Sequence, residues 1–145
     1  MTKRIRIFAG SMLAAGLAFT SASAAEIKLK AMLNAASEVP ANASTGKGTA
    51  ELMLNDATKE ISWTITYEGL TGDAVAAHIH GPAAAGANAG VVTSLGPMGA
   101  PFKSPLVGKA TLTDAQVADV LAGKTYVNVH TAANKGGEVR GQIGK

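Results

Sequence analysis

From residue 26 onward, apolar and polar positions alternate with period two in one short segment after another. Ile27, Leu29, Ala31 and Leu33 alternate with Lys28, Lys30 and Met32, and Ala50, Leu52 and Leu54 repeat the pattern. Trp63, Ile65 and Tyr67 alternate with Ser62, Thr64 and Thr66, combining aromatic and β-branched residues as half-buried strands do. Asn55, Asp56, Ala57 and Thr58 lie between the second and third runs and predict a hairpin turn, because Asn and Asp side chains bond nearby backbone. Further strands are predicted at residues 75–80, 91–95, 106–112, 126–131 and 138–143. Asn134, Lys135, Gly136 and Gly137 turn the last pair into a hairpin. Residues 81–89 are rich in Gly, Ala and Pro and read as a long loop. Pro97, Pro101 and Pro105 keep regular interior structure out of 96–105.

One segment changes period. Thr113 can cap a helix with Gln116 as its capping-box partner, Val117, Val120 and Leu121 form its apolar face, and Gly123 stops it. The prediction is an all-β domain, a Greek-key sandwich or barrel of about eight strands, with one short helix near 114–122.

The first 24 residues follow a different logic. Lys3, Arg4 and Arg6 precede an apolar run over 7–19, which ends at the small residues Ala22 and Ala24. This is the layout of a cleavable signal peptide, with cleavage expected after Ala24. The run is shorter than the roughly 20 residues a bilayer core requires, and without cysteine there is no lipid attachment point, so no membrane anchor is expected after cleavage. The domain expected to remain, residues 25–145, belongs in the periplasm or outside the cell. The leader also explains the charge. Three of the thirteen Lys and Arg lie in it, and the other cations balance the ten Asp and Glu. No basic stripe is left for nucleic acid. The absence of cysteine excludes disulfides and thiol chemistry.

Candidate chemistry concentrates in the three histidines of the chain. His78 and His80 lie two apart on a predicted strand and so face the same side. On the 126–131 strand, Val127 and Val129 take the core face, and Tyr126, Asn128 and His130 take the other. If the two strands are neighbours, three imidazoles converge, a donor set suited to copper or zinc with a coordination position left open. The alternative reading is structural: each histidine pins a loop by bonding a carbonyl, at the start of 81–89 and before the last hairpin turn. Arg140 is the one arginine after residue 24. It is read either as a structural partner of an acid such as Glu138 or Glu68, or as a guide for an anion. Asp114 and Asp119 read as solvated helix residues, and Trp63 and Tyr67 as core. No nucleophile elbow or phosphate loop is present.

Three blocks carry a family likeness: A-H-I-H-G-P at 77–82, L-A-G-K-T-Y-V-N-V-H-T at 121–131 and G-G-E-V-R-G-Q-I at 136–143. Together with L-N-A-A-S-E-V-P at 33–40 they resemble the CHRD (chordin-type) domain over about 26–144. The resemblance implies an extracytoplasmic β domain and no particular activity; in animal chordins the domain sits in secreted antagonists of bone morphogenetic proteins. A fainter resemblance, to copper/zinc superoxide dismutases, lies in the order of His78, His80, His130 and Arg140. There an H-x-H strand and a later V-x-H strand supply copper ligands, and an arginine guides the anion. A bridging histidine, the zinc ligands and the disulfide have no counterpart here, so this resemblance implies at most a copper-only site. The expected function is an extracytoplasmic binding module with a possible copper ion on His78, His80 and His130. The alternatives are a metal-free structural or protein-interaction domain and a copper-only redox enzyme.

Overall fold

The computed structural model of the protein describes residues 25–97 and 100–145. The expected signal peptide lies outside the described residues. Eight strands form: β1 (Glu26–Asn34), β2 (Lys47–Asn55), β3 (Glu60–Glu68), β4 (Ala74–His80), β5 (Val91–Ser94), β6 (Leu106–Thr111), β7 (Tyr126–Thr131) and β8 (Val139–Gln142). They make one antiparallel sheet in the order β5-β4-β7-β8-β1-β2-β3-β6, curled into a nearly closed barrel. The chain crosses from β3 to β4 and back from β6 to β7, as a Greek key requires.

The alternation read from the sequence becomes the register of the core. Leu29 pairs with Leu52 and Leu52 with Trp63, while Ala31, Ala50 and Ile65 form the adjacent row. Ile79, Val127, Val129, Val139 and Ile143 close the interior from the other side. Each such aliphatic side chain stabilises the fold by about 1.5–3 kcal/mol when fully buried, so this inner face drives folding. Trp63 lies across Gly108 of the neighbouring strand, where a Cβ would come within 2.7 Å of its ring. Its Nε1–H donates to the Leu95 carbonyl at 3.2 Å. Leu95 and Phe102 in turn bond β4 through the Ala77 and Ala74 carbonyls, at 2.8 and 2.9 Å. These contacts fill the gap between the edge strands β5 and β6.

The helix α1 (Asp114–Leu121) forms with both halves of its capping box, Gln116 N–H to Thr113 Oγ1 at 3.3 Å and Thr113 N–H to Gln116 Oε1 at 2.8 Å. Gly123 adopts φ +68° just past its end, the left-handed position that glycine takes most easily. The expected apolar face is narrower than its sequence. Val120 is buried and Val117 packs on the core, but Leu121 is exposed, because a helix of two turns presents only its i, i+3 pair to the sheet.

The strand β7 departs from the expected half-buried pattern. All six of its residues are buried, on both faces. Three loops fold over its outer side and are tied to one another. Asn42 Nδ2 donates to the carbonyl of Glu138 at 3.0 Å, Ser44 Oγ to the Glu138 carboxylate at 2.6 Å, and Asn88 Nδ2 to the Val39 carbonyl at 2.9 Å.

The two kinds of position respond differently to truncation. Leu54→Ala is expected to lower the unfolding free energy by about 2–5 kcal/mol, and Val107→Ala, 72% exposed on the outer face, by less than about 0.5 kcal/mol. Urea unfolding of both variants measures this, and equal losses would contradict the assignment of the core face.

Candidate metal centre

The register of three strands lays out the site. On the outer face His78 of β4 pairs with Asn128 of β7, and Asn128 pairs with Arg140 of β8. One row along, His80 pairs with Tyr126 and Tyr126 with Gln142. His130 pairs with Ala76, one row beyond His78 on the other side. The adjacency of β4 and β7 therefore brings together the histidines of two segments far apart in the chain. Ring centroids are 5.0 Å apart for His78 and His130, 5.4 Å for His78 and His80, and 6.2 Å for His80 and His130. One ring nitrogen from each lies within 4.8 Å of the others. Bonds of about 2.0–2.1 Å place ligand nitrogens roughly 3.4 Å apart around one ion, so binding would draw the rings closer together.

Hydrogen bonds define which nitrogen of each ring is free. His80 Nδ1 lies 2.9 Å from the Ala89 carbonyl and His130 Nδ1 lies 2.9 Å from the Lys135 carbonyl. A carbonyl only accepts, so both Nδ1 atoms carry the proton and both Nε2 atoms hold a lone pair. His130 Nε2 accepts from His78 Nδ1 at 3.1 Å. His80 Nε2 is buried with no partner, an unmet acceptor of the kind that calls for a missing ligand. Burial is the main influence on charge. It pushes His78 down to about 4, helped by His130 and then His80. Burial also lowers His130, opposed by its bond to the Lys135 carbonyl and reinforced by His80. Both rings are neutral at pH 7, the form that binds metal.

Arg140 sits beside the cluster, 2% exposed. Its guanidinium lies 3.4 Å above the Tyr126 ring, donates from Nη1 to Asn88 Oδ1 at 2.9 Å, and donates from Nη2 to the Ala87 carbonyl. The expected partners are both engaged elsewhere. Glu68 pairs with Lys47 at 3.1 Å on the surface. Glu138 accepts four hydrogen bonds, from Ser44 Oγ, Thr71 N–H, Thr71 Oγ1 and Thr131 Oγ1. Burial alone would raise the Glu138 carboxyl, but these donors hold it down to about 2.

The acid that Arg140 does influence is Glu38, which the sequence presented only within the 33–40 family block. Burial raises the Glu38 carboxyl to about 7, against the pull of Arg140, the Val39 N–H and the Asn128 amide. Glu38 Oε1 and Asn128 Oδ1 are both buried acceptors without a donor, so a proton on Glu38 answers a local shortage of donors. Gly137, at φ +130°, leaves the space that the Glu38 and Asn128 side chains fill. Glu38 lies in the 33–40 family block, but nothing there marked its burial, which depends on loops from three parts of the chain. Asn128 and Tyr126 were placed on the correct face but without a role.

A model of the CHRD domain matches residues 29–143. A search of curated proteins and of solved structures found no match. Among the described residues no helix is long and apolar enough to cross a membrane.

The two buried carboxyls predict opposite pH responses. Glu38 goes from 4.5 unfolded to about 7 folded, so its ionisation weakens the fold as pH rises through that window. Glu38→Gln should gain on the wild type by up to about 3 kcal/mol across it. Glu138 goes from 4.5 to about 2, so its contribution is present above 4.5 and lost on acidification toward 2. Glu138→Gln should be weaker than wild type by up to about 3 kcal/mol at neutral pH, with the gap closing in acid. Denaturant unfolding across pH reads both, and pH-independent gaps would contradict the burial account.

Proposed function

The chain belongs to the CHRD domain family, and from that premise we propose that it works outside the cytoplasm as a binding module whose His78, His80 and His130 hold a copper ion. The observation that carries this reading is the convergence of one nitrogen from each ring within 4.8 Å, with His80 Nε2 buried and unpartnered. The carbonyl bonds of His80 and His130 are also the ones that metal-binding histidines use to fix their orientation. Imidazole suits both copper and zinc, and the affinity order of divalent ions puts Cu(II) above Zn(II). The cluster contains no carboxylate or thiolate, which suits a site of neutral nitrogen donors. When bound there, copper would supply ligand exchange or one-electron chemistry. The signal-like leader supports the location.

The structural alternative has one observation in its favour, since His80 and His130 do hold the carbonyls of Ala89 and Lys135. Those bonds use Nδ1 and leave His80 Nε2 unexplained. The protein-interaction alternative calls for a continuous apolar patch. Of the exposed apolar residues on the β1-β2-β3-β6 face, Val107 pairs with Thr64 and Met32 with Thr49, so polar neighbours separate them. The redox-enzyme alternative relied on Arg140 as a guide for anions. The buried guanidinium, bonded to Asn88 and Ala87 and stacked on Tyr126, favours a structural role for it.

Copper competition titrations against a chromophoric chelator test the proposal. Residues 25–145 are expected to bind one equivalent, and His80→Ala to bind roughly 100-fold more weakly or worse. No binding by the wild type, combined with a large loss of thermal stability in a variant lacking all three imidazoles, would make the histidines loop pins instead.

A further inference from the structure

We propose that Arg140 is a positioning residue for the histidine cluster: it holds residues 87–89 and the Tyr126 ring so that His80 stays in one tautomer, with Nδ1–H on the Ala89 carbonyl and Nε2 turned into the site. The metal-binding meaning of this arrangement rests on the copper reading. The positioning itself does not.

A neutral imidazole can carry its proton on either nitrogen, and the partner of one nitrogen decides. For His80 that partner is the Ala89 carbonyl at 2.9 Å. Ala89 belongs to a segment in which residues 84–88 are exposed, and Gly86 has open space around it and a φ of +84°. Such a segment does not fix a carbonyl by its own packing. On its far side the Gly90 carbonyl accepts from the Gly81 N–H at 3.1 Å and Val91 pairs with His80; up to Ala89 its ties to the body run through a few side chains. Arg140 donates to the Ala87 carbonyl and to Asn88 Oδ1, Asn88 Nδ2 reaches the Val39 carbonyl at 2.9 Å, and Ala89 N–H donates to Tyr126 Oη at 3.2 Å. Arg140 thus makes two of these ties directly, at the two residues before Ala89.

A second route runs through the rings. β7 lies between β4 and β8, so Tyr126 has His80 on one side and Arg140 on the other. The His80 and Tyr126 rings stack with centroids 5.0 Å apart and planes 7° from parallel. The guanidinium covers the Tyr126 ring at 3.4 Å, and the Tyr126 hydroxyl accepts from the same Ala89 whose carbonyl orients His80. One planar cation therefore acts on the ring that stacks against His80 and on the segment that bonds it. Arginine alone combines a stacking plane with several in-plane donors. A lysine ammonium can neutralise charge here but cannot stack or bond both acceptors in that geometry.

Nitrogen-15 NMR of the metal-free protein at neutral pH tests the positioning directly, with Arg140→Met and Arg140→Lys beside the wild type. The wild type is expected to show His80 as a single Nδ1–H tautomer. Both variants should show His80 as a mixture, while His130, held by Lys135, stays unchanged as an internal reference. Copper affinity should fall about 10–100-fold in both variants, the range for partners that orient a ligand. Should Arg140→Met fail to fold, Asn88→Ala cuts the exposed end of the same tie and should mix the His80 tautomers in the same way. A single, unchanged His80 tautomer in the variants overturns the proposal, even if copper affinity drops. Mixed tautomers in a protein whose wild type binds no copper would support the positioning and overturn the copper reading.

Discussion

The outer face of β7 carries Tyr126, Asn128 and His130, all buried. Buried polar groups cost free energy unless they find partners, and most of what is unusual about this barrel follows from meeting that requirement. The inner face, with Val127 and Val129, needs only apolar neighbours and obtains them from β4 and β8. The outer face needs donors and acceptors arranged in register. His130 obtains them from His78 Nδ1 across the strands and from the Lys135 carbonyl, and the Tyr126 hydroxyl accepts from the Ala89 N–H. The loops at Ala89 and Lys135 supply part of its hydrogen bonding, and Asn128 Oδ1 is left without a donor.

The same constraint sets the electrostatics. The acid that follows β7, Glu138, is committed to hydroxyl and backbone donors and stays ionised away from the imidazoles. The acid near Arg140, Glu38, is raised by burial to about 7. With no carboxylate bonded to them, His78 and His130 respond to burial and to one another and remain uncharged. What is left is a set of three imidazoles with no bonded carboxylate, one of which has a buried ring nitrogen without any partner. A cation that prefers nitrogen donors would meet that need, taking the place of the His78–His130 hydrogen bond.

Much of this was legible in the sequence because the signals are local. Period-two alternation placed β1, β2 and β3, the Asn and Asp turn placed their hairpin, and Thr113 with Gln116 placed the helix to within a residue. The shared face of His78 and His80 followed from strand geometry alone. Their meeting with His130 depended on β4 lying beside β7, a non-local pairing to which spacing in the chain gives no direct clue. The burial of Glu38 and the true partners of Arg140 were not legible for the same reason. Both depend on the loops at 35–46 and 81–90 closing over β8, and loop closure leaves no period to read. Leu121 shows the opposite limit, where a correct apolar pattern overstated how much of a short helix the sheet can cover.

The central claim is that three imidazole nitrogens share one ion. X-ray absorption spectroscopy on residues 25–145 loaded with one equivalent of copper tests it most directly. The account predicts a first shell dominated by nitrogen at about 2 Å, with the outer-shell scattering of three imidazole rings. A shell with one imidazole or none, filled by oxygen donors, would contradict it.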